Sequence, residues 1–215
     1  MDVLRDLDLA LAIQAFVTLT VIMDPLGNVP VFLGLTPGED RATRRRIARS
    51  AMLAAAGIVY LFAVFGTQIL ASLSIGLPAL QVAGGVVLFL TALAMLRGED
   101  LMPDRAEGVN VAIVPLGVPL VAGPGAISAA MVFMSDGNGR TLSLGPQLSV
   151  GLAIAATLIV TWLALRYAEL LERLLGANGI HLVTRVMGML LVAISVELVA
   201  TAIQAYVAGA SALPG

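Results

Sequence analysis

Charge disappears from this chain in long stretches, and the stretches set its elements. Leu9–Leu35 carries a single charge, Asp24. Ser50–Leu96 carries none, and neither do Gly108–Ser135 and Thr141–Leu165. Val186–Ala208 carries only Glu197. A helix crosses a bilayer with about 20 apolar residues. Ser50–Leu96 is long enough for two such helices, divided at "ASLSIGLP" (Ala71–Pro78), where Ser, Gly and Pro gather. The pattern predicts an all-α polytopic membrane protein with six transmembrane helices.

The loops between these stretches alternate in charge. Arg41, Arg44, Arg45, Arg46 and Arg49 follow the first span, Arg97 and Arg105 the third, and Arg166, Arg173 and Arg185 the fifth. The opposite side has only Arg5 and Arg140. Arginine-rich loops stay in the cytoplasm, which places both termini outside. The first cluster reads as a topology anchor ahead of a lipid-binding switch. "TPGE" (Thr36–Glu39) reads as a capping box, so span 2 begins as an interfacial helix running through those arginines.

Composition agrees with the pattern. Of 215 residues, 59% are hydrophobic and 12% charged, too few charges to cover a soluble domain of this size. No basic run is interleaved with aromatics, which argues against nucleic acid as a partner. There is no cysteine, hence no thiol chemistry. The N-terminal "MDVLRDLDLA" is more acidic than basic, unlike a cleaved signal peptide.

A weak repeat runs through the chain. "QVAGGVVLFLTALAML" (Gln81–Leu96) aligns with "RVMGMLLVAISVELVA" (Arg185–Ala200), so that Gly84 meets Gly188 and Thr91 meets Ser195. Spans 1 and 4 are each interrupted part-way, by "DPLGN" (Asp24–Asn28) and "AGPGA" (Ala122–Ala126). The halves, about 9–96 and 108–208 of a single membrane domain, hold three spans each. An odd number makes them inverted relative to one another. Inverted repeats with paired broken helices mark a transporter site near the midplane.

The breaks offer chemistry. Proline disfavours helix at the residue before it, so span 1 stops near Met23–Asp24. Asn28 is the expected N-cap of a second half-helix, and Pro30 is tolerated in its first turn. In span 4, Pro115 and Pro119 share a face, Gly123-Pro124-Gly125 breaks the helix, and Ser128 is expected in the next first turn. Unwound backbone cannot be satisfied by lipid and has to face protein or a polar cavity. Half-helix N-termini suit a carboxylate, and C-terminal carbonyls suit an ammonium or a cation. A small zwitterion matches both. The substrate-binding residues expected are Asp24, Gly27, Asn28, Gly123, Gly125, Ala126 and Ser128. An ionisable group at membrane depth is a functional hypothesis by default, which makes Asp24 and Glu197 the coupling groups to test.

Other polar residues carry blander readings. Gln81, Thr91 and Ser195 read as interhelical hydrogen-bond partners. His181, the only histidine, reads as a loop or interface residue, with no second His or Cys to complete a metal site. Trp162 and Tyr167 fit an interfacial position at the cytoplasmic end of span 5. Asn138-Gly139 reads as an external turn.

At "DPLGNVPVFLGLT" (Asp24–Thr36), "VPLVAGPGAIS" (Val118–Ser128) and "RRRIAR" (Arg44–Arg49) the sequence resembles the MarC family of integral membrane proteins, also called the six-span neutral amino acid transporter family. The resemblance covers essentially the whole chain. It implies a multi-pass protein of a bacterial or archaeal inner membrane that carries small neutral amino acids such as glycine and alanine. The resulting expectation is a secondary transporter working by alternating access, with the lipid bilayer and a small zwitterion as partners. No cofactor is expected beyond a Na⁺ or H⁺ coupling ion, and oligomeric state stays open. A channel or scaffold, or an exporter of another small metabolite, is the alternative. An intramembrane phosphohydrolase would need cations against its phosphates, and no Arg or Lys lies in the mid-membrane segments. No GxxxxGK[ST] loop is present for ATP.

Overall fold

The computed structural model describes residues 7–98, 121–135 and 143–211. Every regular element in them is a helix: α1 (Leu9–Met23), α2 (Asn28–Leu35), α3 (Arg41–Ser72), α4 (Leu77–Arg97), α5 (Pro124–Phe133), α6 (Leu144–Arg166) and α7 (Ala168–Ser211). Four are long and apolar enough to cross a bilayer: α3, α4, α6 and the Asn178–Ala208 part of α7. The pair α1 and α2, bent by 45°, makes a fifth if it counts as one span. Helix α5 has ten residues, about 15 Å at 1.5 Å per residue, half of the about 30 Å hydrocarbon core. Its expected N-terminal partner, with Pro115 and Pro119, lies outside the described residues. So do Arg5, Arg105, Arg140 and the Asn138-Gly139 turn. The described residues therefore give four to five spans where six were expected.

Several boundaries follow the sequence and several do not. The divider at Ala71–Pro78 falls where α3 gives way to α4. Helix α3 does run unbroken from its arginines into the apolar stretch. Its cap, however, is Asp40, whose Oδ1 accepts from the Thr43 N–H at 2.8 Å, not Thr36. Thr36 instead closes α2, its hydroxyl donating to the Phe32 carbonyl at 2.8 Å. His181 is helical: α7 begins as a short helix on the surface, kinks at Gly176 (φ 64°, ψ 173°) and continues as the long span.

Small residues let the helices pack closely. On α4, a Cβ at Gly85 would lie 2.7 Å from Val199 Cγ2 and 3.0 Å from the Ser195 carbonyl of α7. On α7, a Cβ at Gly188 would lie 3.2 Å from the Ala92 carbonyl of α4. Helix α1 packs along α6, where the Thr20 and Thr157 hydroxyls share a hydrogen bond of 3.3 Å. Helix α5 sits against α3, α4 and α1. The polar α1–α2 break thus ends up inside the bundle, with Asp24 and Asn28 each only 6% exposed.

Candidate functional site

The α1–α2 break is built by Asp24. Its backbone is left-handed (φ 40°, ψ 70°), which a short polar side chain tolerates when it can hydrogen-bond locally. Here it does: Oδ1 accepts from the Gly27 N–H at 3.0 Å, and the Asp24 carbonyl accepts from the Asn28 N–H at 3.1 Å. Its own N–H closes α1 on the Thr20 and Val21 carbonyls. Asn28 is not the N-cap. Gly27 occupies that position, and Asn28 is the first helical residue. The Asn28 amide reaches backward, Nδ2 donating to the Met23 carbonyl at 2.7 Å. The side chain thus satisfies the end of the helix before it. Sequence reasoning assumed the commoner forward cap.

The second break is simpler. Gly123 is the N-cap of α5 and Pro124 its first residue, so Pro124, Gly125 and Ala126 are helical and not unwound. The half-helices start 96 residues apart (Pro124 minus Asn28), where the prolines are 99 apart (Pro124 minus Pro25). No side chain caps α5. The Gly125 and Ala126 N–H groups find no acceptor among the described residues. Helix N-termini carry such free donors together with partial positive charge.

Between the breaks lies a cavity of about 210 Å³. Asp24, Gly27 and Asn28 line one side, and Gly123, Gly125 and Ala126 the other. Helices α4 and α7 complete the wall with Val87, Leu88, Thr91 and Leu191. Six of the seven expected substrate-binding residues are therefore brought together. Ser128 does not line this cavity. It lies in the second turn of α5 and donates to the Leu80 carbonyl of α4 at 2.9 Å. Glu197 is exposed on the outer face of α7, away from the cavity.

Thr91 and Ser195 do not bond across helices. Each hydroxyl donates within its own helix, to Val87 (3.0 Å) and Val192 (2.7 Å). Thr91 lines the cavity, which an interhelical reading missed. Its spacing of four from Val87 was the available signal. Because Ser128 only ties α5 to α4, Ser128→Ala is expected to lower stability by about 1 kcal/mol, the net worth of one such bond, with solute binding retained. Denaturant unfolding alongside a binding titration checks both halves.

A bundle of apolar helices with a polar break buried at its centre defines an integral membrane protein of several spans. Residues 9–207 match the MarC family integral membrane proteins, and the chain belongs to that family. The UPF0056 membrane protein MJ1677 of Methanocaldococcus jannaschii is 36% identical over 205 residues, covering 92% of this chain and 98% of that one. The UPF0056 membrane proteins YvbG of Bacillus subtilis and YhcE of Escherichia coli are 32% and 31% identical. They align over 87% and 92% of this chain, and over 91% and 94% of their own lengths. No solved structure matches.

Proposed function

We propose that this protein is a secondary transporter of small neutral amino acids, and that the cavity between the two breaks is its substrate site. The observation that carries the reading is the cavity's two-ended polarity. The uncapped N–H groups of Gly125 and Ala126 suit the substrate carboxylate. Asp24, whose Oδ1 alone is used by Gly27, suits the substrate ammonium or a coupling Na⁺ or H⁺. The volume favours a small solute: drug-sized ligands occupy about 300–1,000 Å³. Asp24 is the one charged residue among the described lining, so no second ionic partner is offered to a charged substrate side chain.

Element packing supports two inverted halves. Exchange α2 with α5, α3 with α6, and α4 with α7. The α4–α5 contact then becomes α7–α2, and α3–α5 becomes α6–α2, all of which occur. The α4–α7 and α3–α6 contacts map onto themselves. Val87 and Leu191, both lining the cavity, are 104 residues apart (191 minus 87), the same offset as Gly84 and Gly188. Six spans in an inner membrane, termini outside, complete this reading. Its motion is a rocking of one half against the other around the breaks.

Ligand linkage gives a first test. A ligand at 100 times its Kd stabilises the state that binds it by about 2.7 kcal/mol. Saturating glycine or alanine should raise the melting temperature of the purified protein, and glutamate or arginine should not. Equal shifts with all four, or none, count against the assignment. Coupling is given to Asp24 and not to Glu197 because only Asp24 lines the cavity. Glu197→Gln is accordingly expected to leave gradient-driven uptake within about twofold of wild type, since a surface position away from the site shifts energies by about 0.5 kcal/mol or less.

A further inference from the structure

A second cavity, of about 260 Å³, lies at the arginine-rich end of the bundle. Two stretches far apart in sequence supply its charges: the start of α3 (Arg41, Arg44, Arg45), and the α6–α7 junction, with Arg166 at the end of α6 and Glu169 and Arg173 in the first turns of α7. Five arginines therefore face one carboxylate. Glu169 is already engaged, accepting from Arg44 Nη1 at 2.6 Å and from Arg41 Nε at 3.1 Å. Partial burial alone would raise its pKa, but the two guanidiniums outweigh that and hold it below the ordinary carboxylate range. Arg44 is further occupied by the Thr36 carbonyl, at 3.0 and 3.2 Å.

Arg45, Arg166 and Arg173 have no carboxylate partner among the described residues. Arg166 is the telling one. Its Nε is buried and has no acceptor among the described residues, although buried donors are nearly always paired. Its guanidinium is held in place over the Trp162 ring at 4.9 Å and near the Tyr167 ring at 5.7 Å. A stacked guanidinium with an unpaired Nε amid uncompensated positive charge is an arrangement that takes an oxyanion, and arginine matches phosphate bidentately.

We propose that this cavity binds the phosphate of an anionic phospholipid. The surroundings favour a lipid as the source. Phe32, Leu33 and Leu165 give the cavity an apolar wall where the spans end. The short helix beginning at Ala168 exposes Leu170 (53%) and Leu174 (74%) beside it, as an interfacial helix does. Basic pockets between spans are an established form of anionic headgroup site. From sequence the first arginine cluster alone reads as a topology anchor. Folding adds Arg166 and Arg173 to it.

The test uses the full-length protein, delipidated in neutral detergent and titrated with short-chain phosphatidylglycerol, short-chain phosphatidylcholine and inorganic phosphate, with bound species counted by native mass spectrometry. Phosphatidylglycerol should bind about tenfold more tightly than phosphatidylcholine. Arg166→Gln should remove about that factor with the melting temperature held. The exposed pair Arg45→Gln/Arg173→Gln, which leaves the Arg166 stack intact, should weaken it similarly. Inorganic phosphate binding as tightly, with the same dependence on Arg166, supports the phosphate site and assigns it to a soluble ligand. Phosphatidylglycerol affinity unchanged in both variants, or equal to that of phosphatidylcholine, overturns the proposal.

Discussion

Asp24→Asn is expected to reduce gradient-driven uptake by about 10- to 100-fold while the protein stays folded. The asparagine keeps the shape, tolerates the left-handed backbone, and keeps an oxygen for the Gly27 N–H. What it loses is the negative charge. A hydrogen bond to a charged group contributes about 1.5–3 kcal/mol, and the expected range in rate follows from that figure. Asp24→Ala confuses the issue, because it also removes the Gly27 contact and places an alanine at φ 40°. The informative comparison is therefore Asn with wild type, each assayed both for concentrative uptake and for exchange of substrate down its gradient. Exchange should survive better than concentration if Asp24 serves the coupling ion. Both should fall together if it serves the substrate ammonium.

Gly27→Ala is expected to cost about 1–3 kcal/mol of stability and to abolish substrate binding, for a purely steric reason. The Gly27 backbone (φ −65°, ψ −26°) is one any residue adopts. The obstacle is the Asp24 carboxylate, which an alanine Cβ would overlap outright. To make room, either Asp24 gives up its bond to the Gly27 N–H or α2 shifts away from α1. The first leaves a buried N–H unpaired and the second presses α2 into α6 and α7. Gly38→Ala is the contrast. There the added methyl meets nothing within 4 Å, but φ is 74°, so its cost is conformational and confined to the α2–α3 turn. Denaturant midpoints for the two variants, with a glycine-binding titration, separate the steric effect at the site from a backbone effect outside it.

The helical class, the α1–α2 break and the helix start at Pro124 were legible because membrane chemistry leaves strong marks. Charge is excluded from spans, and proline disfavours helix at the residue before it, so that α1 ends at Met23 and α5 begins at Pro124. The local wiring of the breaks was not legible. Asn28 could cap forward or backward with equal chemistry, and only the position of the Met23 carbonyl decides. Pro25 and Pro124 look equivalent in sequence, yet one sits in a turn and the other opens a helix, because Gly123 and not Asp24 is the neighbour before it. Ser128 stands next to a genuine cavity segment, but its position in the second turn of α5 points it to Leu80. The arginine cavity was out of reach for another reason. Its members come from the start of α3 and from the α6–α7 junction, more than 100 residues apart along the chain, and no local pattern joins Arg45 to Arg166.

The most direct test of the central claim is uptake of labelled glycine and alanine into proteoliposomes holding the purified protein, with Na⁺ and pH gradients imposed separately, for wild type and Asp24→Asn. Accumulation above the external concentration is expected in wild type under one of the gradients, and its loss in the variant. Accumulation unchanged by Asp24→Asn, or no movement of either amino acid by folded wild type under any gradient, would contradict the claim.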